Sequence, residues 1–294
     1  LFRREEIDCV LTYTIKPNIY ASLAANLLRI PVINNISGLG STFIRQSWMT
    51  MLVKFLYGKA LARSRRVFFQ NPEDRELFET QKLVRPEVSA ILPGSGIDLE
   101  KFSMLEESVA KQNRAVTFLL IARLLTDKGV REYANAAQIL KKSCSNVTFQ
   151  LLGDLDESNP NSVTKQELSR WSENGFVSYF GGTSDVRPFI DAADCIVLPS
   201  YREGLPRVLL EAGAMGKPVV ASDVEGCREV VEHGVTGYLC EVRNPENLAE
   251  YLSAIVSMSV EQRCQMGLAA RKKMEREFDE RLVINSYLDI LNCL

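Results

Sequence analysis

The sequence predicts an α/β protein with two doubly wound, Rossmann-like domains, and three observations support this prediction. Short runs rich in Val, Ile and Leu alternate with longer amphipathic runs, as in parallel sheets that helices cover on both faces. A polar stretch without periodicity interrupts the alternation at residues 103–114, where we predict a linker. The 294 residues are enough for two domains with well-buried cores.

The first domain is predicted over residues 1–102, and its strands alternate with helices. Short apolar runs predict buried strands at residues 8–13, 31–35, 66–70 and 88–92. The longer periodic runs between them predict helices at residues 17–29, 47–63 and 72–82.

The second domain is predicted over residues 115–275, where the alternation restarts. Strands are expected at residues 115–122, 147–153, 177–180, 194–199, 218–222 and 238–241. Helices are expected at residues 130–142, 163–173, 186–191, 205–215, 227–232 and 246–257. Residues 261–294 read as two helices that break near Phe278, and we assign residues 276–294 to a separate C-terminal helix.

Composition narrows the class of protein and its compartment. Hydrophobic residues at 46% and charged residues at 24% are typical of a globular chain, and no run reaches the ~18 apolar residues of a spanning helix. The seven cysteines are scattered and no pair has the spacing of a metal or redox site. We therefore expect a reducing, cytoplasmic location without disulfides.

The charge distribution indicates an anionic partner for the first domain. No acidic residue lies between Asp8 and Glu73, although that stretch carries eight Lys and Arg residues. The segment 47–66 combines aromatic and aliphatic residues with several of these cations. It is either a core helix with a solvated end or an interfacial helix that contacts anionic lipid headgroups, and the acid-free context favours the second interpretation slightly.

Two glutamates around a Gly-Leu-Pro turn are the most informative local feature. Glu203 precedes the turn and Glu211 lies a little over two helical turns further along, so both fall on one side of the start of a helix. A helix start at the carboxyl end of a buried strand attracts an anion, and carboxylates beside it are suited to bind hydroxyl groups. This combination suggests a sugar nucleotide.

Residues 203–211 resemble the E-x7-E motif of family 4 of the retaining glycosyltransferases, enzymes with the two-lobed GT-B fold. Residues 121–129 resemble that family's Arg/Lys pair, and residues 229–239 resemble its late C-lobe motif. The resemblance also implies that the C-terminal helix, residues 276–294, packs back on the first domain. The branch that extends lipid-linked oligosaccharides for bacterial surface polymers is the most similar, through residues 13–20, 36–40 and 201–206.

The resemblance implies roles for specific residues of the second domain. Arg123 and Lys128 would stabilise the departing diphosphate, Glu211 would bind the ribose and Glu203 would contact the transferred sugar. Further donor contacts are implied for Gly153, Gly182, Gly204, Leu205 and Pro206, with the nucleobase near residues 181–184. Because these cations would neutralise the diphosphate, we expect no metal and no cofactor other than the nucleotide-sugar co-substrate, UDP-linked by resemblance.

The acceptor side is predicted on the first domain. Gly38 and Gly40 invite a dinucleotide interpretation, but the third glycine of that motif is replaced by Phe43 and no ribose-binding acid follows. In the resembled branch this loop lines the cleft near the acceptor. Many relatives carry a histidine after the first strand; here Lys16 is the candidate to contact a phosphate or the sugar, and His233 is interpreted as structural.

The expected function is transfer of a sugar from a nucleotide sugar to a polyprenyl-diphosphate-linked saccharide in surface polysaccharide or glycan biosynthesis. The enzyme would retain anomeric configuration, lie at the cytoplasmic face of a membrane and bind no nucleic acid. A nucleotide-sugar epimerase or hydrolase, or a non-catalytic sugar-nucleotide-binding subunit, remains an alternative. Since the first domain yields four strands and the second six, we also expect an N-terminal truncation and donor binding without efficient transfer.

Overall fold

The computed structural model describes residues 2–37, 48–104 and 114–294, and its contacts divide it into two compact units. The first unit runs to Gly96 and takes up Glu280–Leu294, and the second is Ile97–Asp279. The first unit therefore ends earlier than the predicted 102, because the backbone N–H of Ile97 donates to the carbonyl of Phe278 (2.8 Å) within the second unit. The predicted linker 103–114 lies mostly outside the described residues.

The first unit contains four strands and four helices in its described residues. In chain order these are β1 (Val10–Tyr13), α1 (Ile15–Leu28), β2 (Val32–Ile36), α2 (Trp48–Leu61), β3 (Arg66–Phe69), α3 (Pro72–Thr80) and β4 (Ser89–Ile91). The strands pair in parallel in the order β1-β2-β3-β4. The helix at Glu280–Leu291, numbered α11 below, also belongs to this unit.

The sheet of the first unit is covered on both faces. Val67 and Phe69 of β3 pack with residues of α1, α2 and α3, among them the fully buried Tyr57. Phe68 points to the opposite face, where Val283 of the C-terminal helix joins it. Alternate residues of a strand face opposite sides of the sheet, so one short strand contributes to two cores.

The second unit is a six-stranded parallel sheet. Its strands are β5 (Val116–Ile121), β6 (Val147–Leu152), β7 (Ser178–Tyr179), β8 (Cys195–Leu198), β9 (Val219–Ser222) and β10 (Gly237–Cys240). Its helices are α4 (Val130–Ser143), α5 (Lys165–Glu173), α6 (Arg187–Ala192), α7 (Arg207–Ala214), α8 (Glu225–Val230), α9 (Pro245–Ser257) and α10 (Val260–Lys273). A short π-helical turn, Met274–Phe278, separates α10 from α11 (Glu280–Leu291).

The strand order β10-β9-β8-β5-β6-β7 contains a switch point between β5 and β8. The chain adds β6 and β7 on one side of β5, then returns to add β8, β9 and β10 on the other side. In open α/β sheets ligands bind at the carboxyl ends of the strands at such a point. The strand order therefore makes the carboxyl edge of the second unit its candidate ligand site.

Within the described residues, every helix is too short or too polar to cross a lipid bilayer.

Candidate functional site

The predicted donor residues meet at the switch point of the second unit. Arg123 and Lys128 follow β5, whereas Glu203 follows β8, its neighbour in the sheet. Glu211 lies in α7, the helix that follows the same loop. Two segments distant in sequence thus bring two cations and two carboxylates to one edge.

The loop after β5 is shaped by a tight turn and one glycine. Arg123 is exposed, and Thr126–Lys128 forms a 3₁₀ turn that leads into α4 through Gly129. Gly129 has φ +69°, and a Cβ there would lie 2.0 Å from the carbonyl oxygen of Pro199. Only glycine allows the loop after β8 to approach this closely.

Lys128 and Glu203 form a direct ion pair. The Nζ of Lys128 lies 2.6 Å from Oε1 of Glu203, and the two side chains are 21% and 12% exposed. The sequence assigned them to different groups of the donor, so this contact was not anticipated. It fixes the Lys128 ammonium at the switch point and leaves two of its three N–H donors for another partner.

Glu211 is a partly buried carboxylate in the second turn of α7, with its side chain 14% exposed. Burial raises its pKa, and the nearby Arg207, whose Nε lies 3.7 Å from Glu211 Oε1, opposes the rise. A carboxylate placed where its charge is disfavoured is common at functional sites.

The predicted donor-binding glycines mark close backbone approaches. Gly153 has φ +149° and donates its N–H to the carbonyl of Gly181 (2.8 Å), and a Cβ there would lie 1.8 Å from the carbonyl oxygen of Ala122. A Cβ at Gly182 would lie 1.9 Å from Oδ1 of Asp154.

The Gly204-Leu205-Pro206 turn leads directly into α7. Pro206 is its N-cap, and Leu205 packs at the edge of the core. A Cβ at Gly226 would lie 2.0 Å from the carbonyl oxygen of Gly204. The turn is thus closely supported by the first residues of α8.

The structure adds a polar cluster that sequence reasoning missed. The hydroxyl of Tyr201 donates to Oε1 of Glu132 (2.6 Å), and the Arg243 guanidinium stacks 4.4 Å from the centre of the Tyr201 ring. Burial and the Glu132 carboxylate raise the pKa of Tyr201 to about 12. Glu132 Oε2 is buried without a hydrogen-bond partner in the described structure.

This cluster holds the loop after β8 against the loop after β5, because Tyr201 also donates its backbone N–H to the carbonyl of Asp127 (2.8 Å). The position of Tyr201 two residues before Glu203 was the only indication of this cluster in the sequence. The partners of Tyr201, Glu132 and Arg243, cannot be identified from the sequence.

On the acceptor side, Lys16 is exposed in the first turn of α1, directly after β1. Gly38 and Gly40 lie outside the described residues. Next to Lys16, a buried hydrogen-bond network joins β1, β2 and α1. Asn34 donates to Thr12 Oγ1 (2.8 Å) and to Ser22 Oγ (2.7 Å), and Thr12 donates to Asn18 (2.6 Å). Two asparagines within the apolar run of β2 were the sequence signal for it.

The sequence contains one Asp-x-Asp spacing, at Asp154 and Asp156. Two carboxylates at this spacing can bind a metal ion, so these residues bear on the expectation of no metal. Asp154 faces Gly182, and Asp156 Oδ1 accepts hydrogen bonds from the Ser158 backbone (3.2 Å) and hydroxyl (2.6 Å). Among the described residues no three His, Cys, Asp or Glu side chains group as metal ligands.

Comparison with known proteins identifies the family. Residues 103–273 match the model of the glycosyl transferases group 1. An N,N'-diacetylbacillosaminyl-diphospho-undecaprenol alpha-1,3-N-acetylgalactosaminyltransferase of Campylobacter jejuni is 30% identical over 97% of this chain and 76% of its own length. A UDP-Gal:alpha-D-GlcNAc-diphosphoundecaprenol alpha-1,3-galactosyltransferase of Escherichia coli is 25% identical, over 88% of this chain and 68% of its own.

Solved structures agree on the fold. Anabaena HepE, solved in complex with UDP, superimposes with a TM-score of 0.85 at 21% identity, covering 99% of this chain and 80% of the other. A sucrose-phosphate synthase from Thermosynechococcus elongatus gives a TM-score of 0.80 at 19% identity, over 100% and 76% of the two chains.

The two Rossmann-like units define the chain as a protein of the GT-B fold. It belongs to the group 1 glycosyl transferases, and it is therefore a hexosyltransferase. The prediction of fold and enzyme class from the sequence is confirmed.

Proposed function

We propose that this enzyme transfers a hexose from a UDP-sugar to a polyprenyl-diphosphate-linked saccharide, with retention of configuration, at the cytoplasmic surface of a membrane. The observation that carries the proposal is the Lys128–Glu203 ion pair at the switch point, with Glu211 on the helix that follows. At this edge of the sheet, cations can bind the phosphates of the donor and carboxylates can bind its hydroxyl groups.

The cations account for departure of the nucleoside diphosphate. Negative charge accumulates on the phosphates as the glycosidic bond breaks, and preorganised cations stabilise it without reorganisation. Lys128 supplies its two remaining N–H donors, exposed Arg123 supplies a guanidinium, and the N-terminus of the 14-residue helix α4 lies next to Lys128.

The two carboxylates bind hydroxyl groups of different parts of the donor. Glu211 accepts hydrogen bonds from the ribose, and Glu203 accepts them from the transferred sugar. The Glu211 carboxylate is partly buried, and the Arg207 Nε lies 3.7 Å from it. Ribose hydroxyl groups would donate hydrogen bonds to this carboxylate and so favour its charged form. Glu203 is paired with the Lys128 ammonium at 2.6 Å.

Retention follows from attack on the same face from which the diphosphate leaves. The carboxylate best placed to act as a nucleophile, Glu203, is already engaged by Lys128, which lowers its nucleophilicity. A leaving phosphate oxygen can instead take the proton of the acceptor hydroxyl. The proton moves to the leaving phosphate and the glycosyl group moves to the acceptor oxygen, without a covalent enzyme intermediate.

The choice of donor and acceptor is supported by the relatives. The C. jejuni and E. coli enzymes are both named for sugars linked to diphospho-undecaprenol, and HepE was solved with UDP.

The membrane location is supported by α2. One face of this helix packs into the core through Tyr57 and Leu61, whereas Trp48, Met51 and Phe55 are exposed at helical spacing on another face, Trp48 by 70%. The Lys59 ammonium lies 5.7 Å from the Phe55 ring centre at the end of this face. An apolar stripe bordered by cations is typical of an interfacial helix.

The test is a panel of radiolabelled nucleotide sugars with a synthetic polyprenyl-diphosphate saccharide, followed by NMR of the new anomeric centre. Glu203→Gln should lower turnover by about tenfold or more, since it removes a charge-assisted contact to the sugar. Asp194→Asn is the matched control, because Asp194 pairs with Arg114 (3.0 Å) at the opposite edge of the same sheet and is similarly buried.

Donor consumption that does not depend on a saccharide acceptor would contradict the proposal in favour of an epimerase or hydrolase. Equal losses in the Glu203 and Asp194 variants would contradict the role of Glu203. An inverted anomeric product would reject retention while leaving the donor site intact.

A further inference from the structure

A cavity of about 410 Å³ opens at the amino edge of the first unit's sheet, the edge opposite Lys16. It forms where the turns that precede β2 and β3 lie side by side, and Arg29, Arg63 and Arg65 line it. Its other lining residues carry no acidic side chain: Asn26, Ile30, Pro31, Cys293 and Leu294.

Two of these exposed guanidinium groups each donate one long hydrogen bond to a backbone carbonyl. Arg63 donates to the carbonyl of Asn26 (3.5 Å), and Arg65 donates to that of Cys293 (3.3 Å). The Asn26 side chain in turn donates to the carbonyl of Ala60 (2.9 Å), which ties the ends of α1 and α2 together. A guanidinium has five N–H donors, so one such bond orients it and leaves most of its donors for a ligand.

Arg29 occupies a position where glycine or asparagine would be easier to accommodate. It caps the C-terminus of α1 with φ 58° and ψ 29°, a left-handed conformation that a residue with a Cβ adopts at a cost. Glu6 and Asp8 line a neighbouring cavity that Arg29 shares, yet no ion pair joins them to it in the described structure. A guanidinium kept here without a counterion is available to an external anion.

We propose that this cavity binds a phosphate group, distinct from the donor and acceptor phosphates of the transfer reaction. Guanidinium groups match phosphate oxygens with pairs of parallel hydrogen bonds, and several in one cavity favour a doubly charged or multidentate anion. Substrates of α/β folds bind at the carboxyl edge of the sheet, so a ligand at the amino edge is not the reacting group. Leu27, 85% exposed beside Arg29, would contact the apolar part of a bilayer while the arginines bind a phospholipid headgroup, and free phosphate offers the same oxygen acceptors to the arginines.

The first arm of the test uses inorganic phosphate. Phenylglyoxal modification of the parent protein, read out by peptide mass spectrometry, should show Arg29 and Arg63 protected by phosphate, whereas the exposed Arg170 on α5 should not be. Titration calorimetry with phosphate, with UDP saturating the donor site, should then show binding weakened about tenfold or more by Arg29→Asn or Arg63→Gln.

The second arm uses phosphatidylcholine vesicles with and without phosphatidylglycerol. The matched control in both arms is Lys82→Asn, since Lys82 is an exposed cation of the same unit with the same left-handed backbone (φ 55°) outside the cavity. Asn tolerates this conformation, so Arg29→Asn and Lys82→Asn should both fold, and a circular dichroism spectrum and thermal midpoint equal to the parent's check this.

A loss in the phosphate arm alone identifies a free phosphate ligand, a loss in the vesicle arm alone identifies a lipid headgroup, and either supports the site. The proposal is overturned if Arg29→Asn and Arg63→Gln match Lys82→Asn in both arms, whatever the protection pattern of the parent. Neither arm measures glycosyl transfer, so failure of this proposal would leave the proposed transfer reaction untouched.

Discussion

Replacement of Lys128 by Met tests whether this ammonium binds the donor phosphates or only holds Glu203 in place. The side chains of the pair are 21% and 12% exposed, so the pair lies between a surface ion pair and a fully buried one. Loss of a charge-assisted contact to a diphosphate at this depth should cost about 1.5–3 kcal/mol, or about 10- to 150-fold in the dissociation constant of UDP. Methionine preserves most of the apolar stem and its packing.

The informative comparison is a double-mutant cycle with Glu203→Gln, measured by titration calorimetry with UDP. If Lys128 binds phosphate, its replacement weakens UDP in the Glu203→Gln background as strongly as in the parent. Glu203→Gln alone should leave UDP affinity unchanged or raise it, because it removes a carboxylate near the phosphates. A phosphate contact of Lys128 is refuted if Lys128→Met has no effect on UDP affinity once Glu203 is neutral, since the lysine would then act only through the glutamate.

Four further predictions concern other parts of the molecule. Glu211→Gln should weaken UDP binding yet raise the thermal midpoint of the unliganded protein at pH 7. Burial raises the pKa of Glu211 in the folded protein above the ordinary 4.5, so the free energy of unfolding falls as pH rises from 4.5 through the folded pKa. The higher midpoint of the variant should therefore vanish below pH 4.5. Tyr201→Phe should lower that midpoint at pH 7 by a destabilisation of about 1–3 kcal/mol, because buried Glu132 loses its hydrogen-bond donor; a midpoint equal to the parent's would argue against the cluster. Transfer should persist in EDTA within about twofold, since side-chain cations neutralise the diphosphate, and a metal requirement would direct attention to Asp154 and Asp156. Trp48→Ser should reduce co-sedimentation with anionic vesicles by about tenfold, because the exposed Trp48 side chain would no longer insert into the bilayer, whereas Leu268→Ser on α10 should not.

The sequence alone determined the elements and the class of enzyme. Strand and helix assignment rests on periodicity within a few residues, and the alternation correctly placed four strands in one unit and six in the other. The spacing of Glu203 and Glu211 depends only on a turn and one helix, so it was readable without the fold. Its resemblance to a known motif pointed to a glycosyltransferase, which the family comparison confirmed.

Only the tertiary structure decided which loops meet. Lys128 and Glu203 are 75 positions apart, and their ion pair exists because β8 returns to the side of β5 that β6 leaves open. The link from Glu132 to Tyr201 and the arginine cavity at the amino edge have the same origin, since each joins residues from different βα units. Periodicity is a local property of the chain, whereas strand order and the approach of loops depend on long-range packing, so the contacts at these sites required the folded chain.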